Sequence, residues 1–140
     1  MTNVAKHVVK RPEATCGMRH VAIFVKNFAA CEKFYVDMLG MSVEWRPDED
    51  NVYLCGGSDN LALHRVPEDV KVEGFQKLDH IGFIIKKPEQ VDEWFDFLSA
   101  NDVEIRNPPR THRDGARSFY CYDPDGVVVQ IIYHPPISSL

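Results

Sequence analysis

The sequence has no long apolar run, no concentrated basic segment and no paired-cysteine motif. Its apolar runs are far shorter than the roughly 20 residues that span a bilayer, so no membrane-spanning helix and no membrane partner are predicted. Lysine and arginine together number 16 but never form a run longer than a pair, which is unlike the basic face that binds nucleic acid. The first residues, MTNVAKHVVKRPEAT, do not have the pattern of a secretory signal, so the expected location is the cytoplasm.

The four cysteines do not have the spacing of a zinc ribbon or of a redox CxxC motif. Three of them, Cys31, Cys55 and Cys121, lie within apolar patterns, and Cys16 precedes the first such pattern. In a reducing compartment, buried or isolated cysteines behave as small apolar residues. All four are therefore predicted to be free thiols.

The chain does contain enough apolar residues for a core, and it repeats one pattern. Of its 140 residues, 44% are hydrophobic and 26% are charged, with a net charge of −5, which excludes global disorder. An offset of 60 residues aligns His20 with His80 and Glu44 with Glu104. Between these identities, apolar residues align with apolar residues and no gap is needed. We interpret the pattern as two copies of one supersecondary unit.

Each copy begins with an alternating apolar strand, HVAIFVK at 20–26 and HIGFIIK at 80–86. A helix follows each strand. The first helix is predicted to be capped by Asn27 and to end at Gly40, and the second to begin at Pro88 and to have Asn101 in a left-handed cap. Residues 107–116 are predicted to form a loop. The remaining strands are predicted at 41–46, 51–55 and 60–66 in the first copy and at 103–106, 117–122 and 127–133 in the second.

The predicted fold is therefore α+β, with two βαβββ modules whose eight strands form a curled mixed sheet, a cup with the helices outside. A single domain is expected over 16–134. Its parts are a first module at 18–66, a linker at 67–77 and a second module at 78–134. Residues 1–15 and 135–140 are expected to be weakly ordered tails.

Alternation along the strands places several polar side chains on the face opposite the helices. Because successive strand residues point to opposite faces, His20, His64 and His80 share that face with Gln130. If the two sheets curl towards each other, these imidazoles and the amide oxygen converge. Imidazole suits zinc, nickel, manganese and iron(II), and amide oxygen suits harder ions. Two histidines at equivalent repeat positions therefore favour a site for one divalent metal ion over ordinary hydrogen-bonding histidines.

Four segments, MRHVAIFVKN, FYVDMLGM, LDHIGFII and RSFYCYDPDGVVVQIIYH, together resemble the vicinal oxygen chelate superfamily. The resemblance covers residues 18–134. This superfamily includes glyoxalase I, extradiol dioxygenases, fosfomycin resistance proteins and bleomycin resistance proteins. The resemblance implies a divalent metal in the cup, held from the first, fourth, fifth and eighth strands, and a homodimer as the common assembly.

By this resemblance, His20 and His80 are the ligands from the first and fifth strands. The eighth-strand ligand position is Gln130, where the family usually has glutamate. A neutral amide is a weaker ligand, which counts against dioxygenase and glyoxalase I chemistry. The fourth-strand position falls on either Ala62 or His64, and the sequence leaves both open.

Three side chains are candidates for catalysis. Glu44 is predicted to face the cup, with Trp45 on the helix side, and to be either a base or a solvated strand residue. Tyr120 and Tyr122 share one strand face, where they either donate hydrogen bonds to a substrate or pack as aromatic strand residues.

Substrate binding is predicted for three basic residues near the end of the second module. His112, Arg113 and Arg117 could bind an anionic substrate, with a solvated basic loop as the alternative. Asp123 and Asp125 are predicted only to build a hairpin turn.

Two functions fit these residues. The first is a divalent-metal-dependent enzyme, of isomerase, lyase, transferase or dioxygenase type, acting on a small oxygen-bearing molecule and stabilising a developing anion. The second is a metal-free protein that binds a small molecule or drug, resembling the bleomycin resistance proteins. The expected partners are a small molecule and a second copy of the chain.

Overall fold

The computed structural model describes residues 18–70 and 78–138. Cys16, the predicted tail at 1–15 and residues 71–77 of the predicted linker lie outside this part of the chain. No helix in the described ranges is long and apolar enough to cross a membrane.

The two βαβββ modules are confirmed, and each contains its elements in the predicted order. The first module consists of β1 (His20–Val25), α1 (Phe28–Lys33), a π-helical segment (Phe34–Met38), β2 (Ser42–Asp48), β3 (Asn51–Cys55) and β4 (Asn60–Arg65). The second consists of β5 (Ile81–Ile84), α2 (Pro88–Ala100), β6 (Ile105–Thr111), β7 (Arg117–Tyr122) and β8 (Val128–Tyr133), followed by α3 (Pro135–Ser138).

The strands form two open four-stranded mixed sheets with the same topology. Their orders are β1-β4-β3-β2 and β5-β8-β7-β6. The β1–β4 and β5–β8 pairs are parallel, because each crossover passes through a helix, and the other pairs are antiparallel. This confirms the α+β class.

The helix-facing sides of both sheets contribute to one apolar cluster. Along β1, Ile23 and Val25 are buried, whereas Phe24 between them is 66% exposed, as the alternation predicts. The cluster also contains Val91 and Leu98 from α2. The opposite faces of both sheets therefore point away from this core and expose apolar side chains.

The end of α2 and the strand after it differ from the prediction. Asp102, with φ of 62°, takes the left-handed position that was assigned to Asn101. Strand β6 runs on through Pro108 and Pro109 to Thr111, so the predicted loop is confined to residues 112–116. Because β6 is an edge strand, it tolerates prolines that a central strand would not. The short helix α3 lies within the segment that is expected from the sequence to be a weakly ordered tail.

The hairpin turn before β8 holds the two modules together, which corrects the prediction that its aspartates only shape a turn. Asp125 Oδ1 accepts hydrogen bonds from the backbone N–H groups of Lys26 and Asn27, at 2.9 and 2.8 Å. Asn27 therefore does not cap α1 with its own side chain; its amide donates to Asp125 instead. Nearby, the hydroxyl of Tyr35 donates to Asp123 Oδ2 at 2.8 Å.

Burial raises the pKa of Asp123, because it disfavours the charged carboxylate, while hydrogen bonds from Val127 N–H and the Tyr35 hydroxyl partly oppose the shift. Burial also raises the pKa of Cys31 and of Cys121 to about 12. Both cysteines are free, as predicted, and their thiols are held in the unreactive protonated form.

Replacement of Tyr35 by phenylalanine is expected to destabilise the chain by about 1–3 kcal/mol, because Asp123 then loses a buried hydrogen-bond donor. Urea unfolding followed by circular dichroism measures the change. The matched control is Tyr133→Phe, which removes a hydroxyl that is not bonded to Asp123. Equal unfolding midpoints for Tyr35→Phe and the parent would contradict the expectation.

Candidate functional site

His80, Tyr120 and Gln130 lie together on the outward face of the second sheet. Gln130 is only 9% exposed, and its Nε2 donates to the Tyr120 hydroxyl at 3.0 Å. The Tyr120 ring stands edge-on to the His80 ring, with centroids 5.4 Å apart. Gln130 Oε1 lies over Gly82, where an added Cβ would sit 3.5 Å from it. The amide oxygen of Gln130 takes no part in the contact with Tyr120 and is therefore the atom that could bind a metal ion.

A cavity of about 550 Å³ adjoins these residues on the same face. Within it, His112 Nε2 lies 3.1 Å from the Ser118 hydroxyl. Arg110 on β6 is paired with Ser118 on the neighbouring strand β7. The lining residues are Asn107, Pro108, Pro109, Arg110, His112, Ser118 and Tyr120. The lining combines the cationic Arg110 and the ionisable His112 with the apolar surface of two prolines, so it suits a small molecule that carries both an anionic group and an apolar part.

His20 lies on the outward face of the first sheet, at the beginning of β1. Its Nδ1 is 2.7 Å from Asn60 Oδ1, and Asn60 Nδ2 donates to Glu44 Oε1 at 2.6 Å. Glu44 thus faces outward, as predicted, but its carboxylate contacts Asn60. The second ring nitrogen of His20, Nε2, is not used in this chain of contacts.

His64 lies on the same face as His20 but at the other end of the strands. β1 and β4 pair so that His20 is opposite Asn60 and His64 is opposite Phe24. Four residues along β4 correspond to about 13 Å, at about 3.3 Å per residue. Ala62, the alternative fourth-strand position, lies between them and is fully buried.

His64 has the same kind of support as His20. Its Nδ1 is 2.6 Å from Asn51 Oδ1, and Asn51 Nδ2 donates to both carboxylate oxygens of Asp48, at 2.8 and 3.0 Å. In the second module, His80 Nδ1 is 2.6 Å from Asp79 Oδ2. In all three histidines, therefore, Nδ1 faces an oxygen and Nε2 is left free of that contact.

A bulge in β2 brings Trp45 to the outward face, which corrects its predicted position on the helix side. Val43 pairs with Leu54 and Trp45 with the adjacent Tyr53, so Glu44 is an extra residue in β2. The rings of Trp45 and Tyr53 stack at 5.2 Å. We call the outward row of rings the aromatic strip; it consists of Trp45, Tyr53, His64 and Phe24.

The structure corrects the prediction that Arg117 binds substrate. Arg117 lies on the helix side of β7, where its guanidinium binds both carboxylate oxygens of Asp92 at 2.8 and 2.7 Å. That contact lowers the pKa of Asp92 and raises that of Arg117. Arg113 is exposed in the turn at 112–116, outside the cavity lining. Tyr122 shares the face of Tyr120 and pairs with Val128 rather than Gln130.

In the described ranges, no three His, Cys, Asp or Glu side chains group together as a metal cluster. The set His20, His80 and Gln130 contains only two residues of those types, and its members come from both sheets.

A family model described as the Glyoxalase/Bleomycin resistance protein/Dioxygenase superfamily matches residues 17–131. The chain belongs to this superfamily. The resemblance found in the sequence is thereby confirmed.

Within the superfamily, the chain is similar to metallothiol transferases. It is 30% identical over 110 residues to Metallothiol transferase FosB of Staphylococcus saprophyticus, covering 78% of this chain and 71% of that protein. It is 31% identical over 111 residues to the protein of the same name in Staphylococcus haemolyticus, covering 79% of this chain and 78% of that one.

Solved structures in the superfamily have the same fold. Lactoylglutathione lyase from Agrobacterium tumefaciens matches with a TM-score of 0.71 at 21% identity, covering 91% of this chain and 98% of that chain. A possible glyoxalase from Bacillus cereus matches with a TM-score of 0.68, also at 21% identity, covering 84% of this chain and 99% of that one. At this level of identity the likeness supports the superfamily fold alone.

Sequence reasoning missed the residues that contact the histidines. Asn60 has the same strand parity as Ala62 and His64, so the alternation that was used for β4 already placed it on the outward face. Asp79 immediately precedes His80, so its contact with the imidazole could have been predicted without knowledge of the fold. Asp48 and Asn51 are paired across the tight turn between β2 and β3. The sequence indicates a turn there but does not indicate which side chains it brings together.

Proposed function

We propose that this superfamily member is a divalent-metal-dependent transferase that joins a thiol to a small oxygen-bearing electrophile. The observation that carries the proposal is that three potential metal-binding atoms take no part in the contacts of their side chains. These atoms are His20 Nε2, His80 Nε2 and Gln130 Oε1. In each side chain the other polar atom contacts a protein partner. The two FosB relatives are named metallothiol transferases, which supports the thiol and the metal.

The donor set fits a divalent ion. Two neutral imidazoles and one amide oxygen suit manganese, nickel, zinc or iron(II), and three protein ligands leave coordination positions for a substrate. Without a carboxylate, the set is neutral and binds less tightly than the usual glutamate-containing set of this superfamily. When bound, the ion would act as a Lewis acid on a substrate oxygen.

The residues of the chain would bind and orient the electrophile. The cavity beside Tyr120 offers His112, Arg110 and Ser118 for a negatively charged group of the substrate. Tyr120, which already contacts Gln130, would donate a hydrogen bond from the cavity wall. In the reaction, a carbon–sulfur bond would form, a carbon–oxygen bond of the electrophile would break, and the thiol proton would end on the released oxygen.

A second copy of the chain is proposed to complete the site. The outward faces of both sheets expose apolar side chains, among them Phe24 at 66%, Trp45 at 58% and Ile84 at 47%. Face-to-face association of two copies would cover these side chains. It would also bring His20 of one copy to His80 and Gln130 of the other.

The aromatic strip favours a second candidate function, the metal-free binding of a flat small molecule. Aromatic rings on an open sheet face stack well on planar ligands. Gln130, in place of a carboxylate, is consistent with a cup that holds no ion.

Metal titration of the full-length, tag-free chain tests the proposal. Manganese, nickel, zinc and iron(II) are added in turn under anaerobic conditions, and bound metal is measured by calorimetry and elemental analysis. We expect about one tightly bound ion per chain. The loaded protein is then expected to consume cysteine in the presence of a small anionic epoxide. Absence of binding with an intact circular dichroism spectrum would reject the transferase and favour the metal-free binder.

A further inference from the structure

We infer that Glu44 and Asn60 are positioning residues, which fix the neutral tautomer of His20 so that Nε2 carries the lone pair. The inference deepens the proposed function and rests on it where metal affinity is concerned. Its structural part, the tautomer of His20, can be measured without a metal. It also gives Glu44 a different role from that of a base.

The first step concerns the orientation of the Asn60 amide. A carboxylate only accepts hydrogen bonds, so the atom of Asn60 that lies 2.6 Å from Glu44 Oε1 must be the NH₂ group. This fixes the amide, because its oxygen then points the other way, towards His20. Glu44 thus determines that the oxygen of the Asn60 amide, and not its NH₂ group, faces His20.

The second step concerns the proton on His20. The amide oxygen of Asn60 also only accepts, and it lies 2.7 Å from Nδ1 of His20. In the neutral ring, Nδ1 must therefore carry the proton. Nε2 is left with the lone pair, which is the form that coordinates a metal ion.

The same arrangement occurs a second time in the first module. Asp48 orients Asn51 with two contacts, at 2.8 and 3.0 Å, and Asn51 Oδ1 then accepts from His64 Nδ1 at 2.6 Å. Both carboxylates belong to β2. The two carboxylate–asparagine–histidine chains have the same order of contacts but lie on different strand pairs, which argues that the arrangement does not depend on one chance rotamer.

The β2 bulge explains how Glu44 reaches Asn60. In a regular strand, residues 44 and 45 would point to opposite faces, yet Trp45 stacks on outward-facing Tyr53 while Glu44 contacts outward-facing Asn60. The extra residue therefore directs two consecutive side chains to the same side. Oε1 of Glu44 accepts from Asn60, and through this contact the residue supports His20.

Nitrogen NMR of histidine-labelled, metal-free protein tests the inference at a pH where imidazole is neutral. The His20 signals are assigned by their loss in His20→Ala. In the parent we expect the Nδ1–H form. In Asn60→Ala we expect His20 to change to the Nε2–H form, which free imidazole favours. Because ligand-orienting contacts typically contribute 10–100-fold to metal affinity, Asn60→Ala is expected to weaken manganese or nickel binding by about that factor.

Asn51→Ala is the matched control, since it breaks the equivalent contact to His64. It is expected to change the His64 tautomer and to leave that of His20 and the metal affinity unchanged. Glu44→Gln retains an oxygen that can accept from Asn60 and is expected to keep the Nδ1–H form, whereas Glu44→Ala is expected to reduce it.

Two results would overturn the inference: an Nε2–H form of His20 in the parent, or no change of its tautomer in Asn60→Ala. If the tautomer changes as expected but the parent binds none of the metals, the positioning role stands and the proposed transferase fails. The two failures are therefore distinguishable.

Discussion

Alanine in place of His20 or of His80 is expected to lower the affinity for a divalent ion by more than about 100-fold. Loss of an orienting neighbour typically costs 10–100-fold, and loss of the ligand itself costs more. Each variant should keep its fold, because both side chains lie on outward faces and neither belongs to the apolar core. Calorimetric titration with manganese and nickel, beside circular dichroism, gives the comparison.

His64→Ala is the matched control for these two variants. His64 is on the same sheet face as His20 and has the same type of contact through its Nδ1, but it lies about 13 Å further along the strands. We expect it to bind metal like the parent. Parental affinity in His20→Ala or in His80→Ala would contradict the ligand set, and loss of affinity in His64→Ala would identify His64 as a ligand instead.

Mixing the His20→Ala and His80→Ala proteins is expected to restore tight metal sites that neither variant has alone. If each site takes His20 from one copy and His80 from the other, a mixed dimer has one intact site and one site without either histidine. Random exchange of subunits then gives about a quarter of the parental number of sites. The measurement is bound metal per chain after incubation, with each variant alone as the reference.

The mixing experiment distinguishes a shared site from a site within one chain. In a chain that supplies both histidines itself, every subunit of the mixture lacks one ligand, so no tight site would form. That result, together with tight binding by the parent, would reject the shared site and keep the metal-dependent function. Native mass spectrometry, with one variant labelled with ¹⁵N so that its mass differs, confirms that mixed dimers are present.

Strand alternation was sufficient to predict which face of the sheets carries the polar groups. His20, His80 and Gln130 lie on the outward faces because a strand has period two, and no knowledge of the partner strands was needed. The same alternation also predicts the face on which Arg117 lies. It differs in parity from Tyr120 in β7, so it belongs with Phe119 and Cys121 on the helix side.

Other features depend on contacts between segments that are far apart in the sequence. The β2 bulge arises from pairing with β3, and the pattern SVEWRPD alone does not reveal it. Asp125 meets Asn27 across 98 residues, so its contact could not be foreseen from the turn sequence DPDG. Asp102 rather than Asn101 has positive φ because α2 continues one residue further than its capping pattern suggested.

Both carboxylates that orient histidines of the first module lie on β2, whereas the histidines lie on β1 and β4. β2 is at the edge of its sheet and pairs only with β3. Substitutions in an edge strand disturb fewer neighbours than those in a central strand. Under the proposed ligand set, the ligand His20 and the carboxylate that adjusts its basicity are thus encoded in separate strands. Substitutions in β2 would then alter metal preference while every ligand stays unchanged.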